Sequence, residues 1–154
     1  MDNIKTSASA QTTQIARYRS KISGPLLDRI DIHIEVPGAR YQELSSNLPA
    51  ESSAQIKERV NKARTIQGER FKDEGVLCNA QMSHKQVKKF CVLGKEESEL
   101  LKMAMTELNF SARAYDKILK VSRTISDLAG SEEIKTEHLS EAIQYRSLDR
   151  DFFV

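Results

Sequence analysis

The chain is short of the residues that make metal and redox chemistry. It has two cysteines and three histidines in 154 residues. Cys78 and Cys91 show no C-x-x-C spacing, and His33, His84 and His138 are dispersed, so no metal site is expected. The few thiols read as reduced and structural, which predicts a cytoplasmic protein. Long apolar runs are also missing. Nothing approaches the ~20 residues of a membrane span, and the N-terminus has no apolar segment of the signal-peptide kind. An excess of one charge is missing too: 24 Lys and Arg against 22 Asp and Glu leave a net +2. That balance gives no electrostatic argument for nucleic acid or a membrane surface as partner.

What remains is enough for one soluble domain with a real core, at 39% hydrophobic and 30% charged residues. Residues 1–12 are polar and small, with nothing to bury, and are expected to be flexible. Thr12 or Thr13 can cap a helix over Gln14–Ile22. The stretch SGPLLDRIDIHIEVP then reads as a helical end, Pro25 to Asp28, running into a strand, Ile30 to Val36. Ile30, Ile32, Ile34 and Val36 alternate with Asp31, His33 and Glu35, the period of a half-buried strand, and Pro37 stops it. Arg29 stands at the junction. Either it caps the helix or pairs with Asp28 or Asp31, or it is held rigidly and aimed outside its own subunit. Residues 38–50 read as a linker, with Ser45, Ser46, Asn47 and Pro49 as breakers.

The rest, residues 51–150, reads as helices without strands. A long helix over Glu51–Glu74 carries the apolar stripe Ile56, Val60, Ala63, Ile66 and Phe71, with Gly75 at its end. Its mixed basic and acidic exposed faces read as solvated rather than as a nucleic-acid stripe. Ser83 and Gln86 form a capping box for a short helix through Val87, Phe90 and Cys91. A helix over Lys95–Leu108 should bury Leu100, Leu101, Ala104, Met105 and Leu108. Ser111 caps the next, with Tyr115, Ile118, Leu119, Val121, Ile125 and Leu128 inward and Gly130 closing it. Thr136 is predicted to cap a last helix that buries Leu139, Ala142, Ile143 and Tyr145. Residues 151–154 form a tail whose Phe152 and Phe153 are expected to dock on the body or on another part.

Arg113 lies in the first turn of its helix, where the dipole disfavours a cation unless an anion is near. An exposed pair with Glu107 is the plain alternative. Gly94-Lys95 is not a phosphate loop: position 89 is Lys where a P-loop needs Gly, and Glu96 follows where Ser or Thr is needed.

From QIARYRSKISGPLLDR onward the sequence resembles the magnesium-chelatase-like AAA+ ATPases, and within them the bacterial ComM/YifB family. The resemblance rests on SGPLLDRIDIHIEVP, on FSARAYDKILKVSRTISDLAG and on the pattern that follows to Arg146, and covers roughly residues 13–150. It implies a mainly α chain: an AAA+ C-terminal helical lid bundle, preceded by the last helix and strand of an α/β core at residues 13–37. It also implies roles. Arg29, in LLDR, matches the arginine finger that acts in trans on a neighbour's nucleotide. Such a finger is typically worth ~10³–10⁵ in turnover. Arg113, in S-x-R, matches the sensor-2 residue that reports the state of the nucleotide.

The parent implied by the resemblance uses ATP and Mg2+ and forms a homo-oligomeric ring, a hexamer. It works on DNA in branch migration during recombination and natural transformation, or serves as a magnesium-chelatase motor. A helical DNA-binding module is the other alternative. Neither Walker A, Walker B nor a sensor-1 strand is in this sequence. The chain alone is therefore expected neither to bind ATP tightly nor to hydrolyse it, and no membrane role is expected. A strand parted from its sheet should pair between chains or pack on the lid. Family members carry a cysteine-bearing segment before the first helix. Ser7 and Ser9 stand there instead, so no metal role is expected of it.

Overall fold

The computed structural model describes residues 14, 17, 21, 26, 28–34, 36, 38 and 50–146. Among them are five α-helices and a 3-10 turn: α1 Ser53–Arg70, the turn Asn79–Gln81, α2 His84–Phe90, α3 Lys95–Glu107, α4 Ala112–Leu128 and α5 Thr136–Gln144. The core is a single cluster gathered around α4. It includes Phe71 after α1, Met82 after the turn, Val87 and Cys91 from the α2 region, Leu101 of α3, Ile118 and Leu119 of α4, and Leu139 and Ala142 of α5.

The helix starts follow from local chemistry. Ser52 opens α1 with a capping box: its Oγ accepts from the Gln55 N–H at 3.3 Å, and its own N–H donates to Gln55 Oε1 at 2.9 Å. Ser83 and Gln86 do the same for α2. Ser111 Oγ accepts from the Ala114 N–H at 3.2 Å and so caps α4. Gly130, at φ +67°, ends α4 in the left-handed region, and the Ser131 N–H returns to the Ser126 carbonyl at 2.8 Å.

Several expectations need correction. α1 stops at Arg70 rather than Glu74. Phe71 leaves the helix to stack edge-on against Phe90, centroids 5.4 Å apart, and Gly75 at φ +70° closes the turn that follows. Its apolar stripe is only half buried. Ala63, Gln67 and Phe71, at i, i+4 and i+8, form the buried face; Ile66 lies beside that face, and Ile56 and Val60 lie in the exposed first half of α1. Thr136 does not cap α5. It lies inside the helix and donates to Glu97 Oε1 at 2.7 Å, while the Lys135 N–H is taken by His138 Nδ1 at 3.1 Å. In α4, Tyr115 and Leu128 are exposed, and the deepest positions include Ser122, Arg123, Ser126 and Asp127.

The predicted strand Ile30–Val36 is not a strand in its described residues. A strand needs a hydrogen-bonded neighbouring strand, and here a backbone partner is instead the end of a helix: the His33 N–H donates to the Tyr145 carbonyl at 2.7 Å. The alternating isoleucines are consequently exposed, Ile34 to 66%. The segment lies on the helical body, which was one of the two outcomes expected for a strand without its sheet. Of the helix expected over Gln14–Ile22, Gln14 and Arg17 are helical and Lys21 is in a turn. The expected linker, beyond its ends, and the tail with Phe152 and Phe153 lie outside the described residues.

Candidate functional site

Segment 28–34 is pinned to α4 and α5 by side chains from far along the chain. The Ser111 hydroxyl donates to Asp28 Oδ1 at 3.1 Å. Lys117 Nζ donates to the Arg29 carbonyl at 2.7 Å and also binds Asp31. Arg146, only 1% exposed, donates from Nη1 to the Ile30 carbonyl at 2.7 Å, and its Nη2 lies 3.9 Å from Asp28. Buried charge of this kind persists only where its donors are satisfied.

These contacts decide the surroundings of Arg29. Asp28 and Asp31, the two carboxylates that could have neutralised it locally, are engaged by Ser111 and Arg146 and by Lys117. The Arg29 N–H completes a turn on the Leu26 carbonyl at 3.0 Å. Its guanidinium is exposed and makes no hydrogen bond or ion pair among the described residues. A pair with Asp28 or Asp31, one of the plain alternatives for Arg29, is thus not the observed arrangement.

Arg113 is the second residue of α4, exposed, and likewise without a hydrogen bond or ion pair among the described residues; the pair with Glu107 is absent. Ser111 joins the two candidates. One hydroxyl caps the helix that carries Arg113 and holds the aspartate next to Arg29. Two permanent cations therefore attach to the same end of α4, where the unpaired N–H groups of the first turn also favour an anion. Beside Arg113 is an open hollow of about 540 Å³ between α2, α3 and α4. At its rim His84 Nδ1 meets Asp116 Oδ2 at 2.9 Å.

A second polar cluster lies inside the bundle. Asp127, fully buried, accepts from Arg70 Nη1 at 2.7 Å, from Asn79 Nδ2 at 2.8 Å and from Arg123 Nε at 3.2 Å, with a further short contact to Arg70 Nη2. Arg123 spends its remaining donors on the Glu132 and Ser131 carbonyls, both at 2.8 Å. The cluster joins α1, the 3-10 turn and α4. Next to it the Cys91 thiol is pushed up to about 12, chiefly by burial. Among the described residues no group of three or more His, Cys, Asp or Glu could hold a metal, and no helix is long and apolar enough to cross a membrane.

Lys117, Arg146 and Asp127 escaped sequence reasoning. Their partners lie between 4 and 118 positions away, so no motif marks them. The one local signal was an i, i+4 pair, Arg123 and Asp127, on a helix face expected to be apolar.

Residues 50–146 match the family described as Magnesium chelatase, subunit ChlI C-terminal, and residues 1–44 match Magnesium chelatase, subunit ChlI. Competence protein ComM of Haemophilus influenzae is 44% identical over 138 residues, which is 89% of this chain and 26% of that protein. YifB of Escherichia coli is 41% identical with the same coverage. Rv2897c of Mycobacterium tuberculosis is 29% identical over 84% of this chain. The chain spans about a quarter of the length of these relatives. Because the C-terminal family match covers more than half of the sequence, the chain belongs to the magnesium chelatase subunit ChlI C-terminal family and is ComM- and YifB-like.

Proposed function

We propose that this chain is the finger-bearing and lid part of a ring-forming AAA+ ATPase, with Arg29 acting in trans on a nucleotide held by a neighbouring subunit and Arg113 sensing it. On this reading residues 13–37 are the end of the α/β core and residues 51–150 the lid. ATP and Mg2+ are held by the nucleotide-binding half of a protein of the relatives' length. When water attacks the terminal phosphorus and the bond to the bridging oxygen breaks, negative charge spreads over the oxygens. A planar fork that is always charged offsets it. A lid arginine on the same phosphates lets the helices follow whether the nucleotide is intact.

One observation carries the reading. Two exposed guanidiniums, uncommitted among the described residues, belong to residues on or tied to the first turns of α4, while Asp28 and Asp31 beside Arg29 are engaged by other side chains. An arginine kept clear of its own neighbours is available to a ligand that its own chain does not supply.

The experiment is Arg29→Ala in a protein of the relatives' length. Hydrolysis should fall by ~10³-fold or more with ATP binding retained; turnover near the unmodified rate would overturn the assignment. Arg113→Ala should also lower turnover.

For the substrate, similarity to a protein named for competence favours DNA remodelling, as in branch migration. The family's own name favours a chelatase motor instead. Stimulation of hydrolysis by DNA, weakening with salt, supports the first, and its absence supports the second.

A further inference from the structure

Segment 28–34 does more than carry Arg29: it forms one wall of an apolar groove. Ile32 and Ile34 line it together with Val121, Ile125 and Leu128 of α4 around a space of about 360 Å³, and Tyr145 borders it too. Ile34 is 66% and Leu128 40% exposed, so the groove is open. Exposed apolar surface gathered into a concave site marks a place where something docks.

We propose that the occupant is the chain's own tail, residues 147–154, with the rings of Phe152 and Phe153 in the groove. Three observations point to that segment. The chain emerges from the groove itself: Tyr145 lines it, and Arg146, the next residue, is buried and clamped to the Ile30 carbonyl. The reach is sufficient, since seven residues beyond Tyr145 extend by up to ~23 Å. The size agrees as well. A dry cavity of ~150 Å³ takes one benzene ring, so the groove has room for about two.

The consequence concerns Arg29. A tail in the groove presses Ile32 and Ile34 onto α4 and adds an apolar clamp to the polar one made by Lys117 and Arg146. The tail thereby holds in place the segment that presents the guanidinium. This holds whatever Arg29 contacts.

The test uses the full chain in solution. Nuclear Overhauser contacts between the Phe152 and Phe153 rings and the methyls of Ile32, Ile34 and Ile125 are expected. In the double variant Phe152→Ser, Phe153→Ser those methyls should shift while the buried Ile118 and Leu139 methyls stay. Exchange of the His33 amide, which bonds the Tyr145 carbonyl, should quicken by ~tenfold. Absence of the ring-to-methyl contacts in the unmodified chain would overturn the proposal. So would contacts that appear only between differently labelled copies and grow with concentration, which would assign the groove to a second molecule.

Discussion

Four arginines divide this molecule into two regions. Arg70 and Arg123 lie inside the bundle, sharing the Asp127 carboxylate and filling their other donors with Asn79 and backbone carbonyls. Arg29 and Arg113 stand at the surface end of α4 and make no such bonds among the described residues. The side chains are chemically identical, and their surroundings separate them. A guanidinium taken from water must be matched donor by donor, or the fold loses several kcal/mol. A guanidinium left in water costs the fold little and keeps its bonding capacity for a ligand. In this chain Arg70 and Arg123 are matched by partners within the fold, whereas Arg29 and Arg113 keep their donors uncommitted among the described residues.

The comparison is broken most forcefully at Asp127. Asp127→Ala leaves the buried Arg123 and the partly buried Arg70 without their shared anion and should cost about 3–5 kcal/mol, read as a fall in the denaturant midpoint. An unchanged midpoint would mean that the cluster is solvated and the contrast false. Arg146→Ala removes a charged hydrogen bond to the Ile30 carbonyl and should cost about 2 kcal/mol. Protease cleavage within residues 28–34 should rise in step. At the exposed end, Arg29→Ala and Arg113→Ala should each change stability by no more than ~0.5 kcal/mol. If either unfolds the chain, that arginine is structural and its functional reading fails.

The gentlest probe is the thiol beside the buried cluster. Burial raises Cys91 from 9.0 to about 12, so at pH 8 alkylation followed by mass spectrometry should modify the more exposed Cys78 first. The folded-state value lies above the unfolded one. The stability this thiol contributes is therefore complete below about pH 9 and is lost as pH rises through about 12.

Much of the fold was legible because helix boundaries are local. The Ser83 and Gln86 box, the Ser111 cap and the Gly130 stop each involve residues within a few positions, and each stands where the pattern put it. Thr136 failed because a residue type suited to capping was read without its partner, Glu97, which lies 39 residues away. The stripe on α1 failed for the same kind of reason. Periodicity names a face but not how far the neighbouring helix extends along it.

By itself, the sequence determined a mainly helical chain, where most of its helices start and stop, and, through resemblance, that Arg29 and Arg113 are the residues to watch. Tertiary structure alone decided that Asp28 and Asp31 are engaged elsewhere, that Ser111 brings the two arginines to one helix end, and that a strand-like segment lies on helices instead of in a sheet. The reason is range. Caps and periodicity act over one or two helical turns, whereas a charge is neutralised by whatever the folded chain brings beside it. For segment 28–34 those partners come from 83 to 118 residues away.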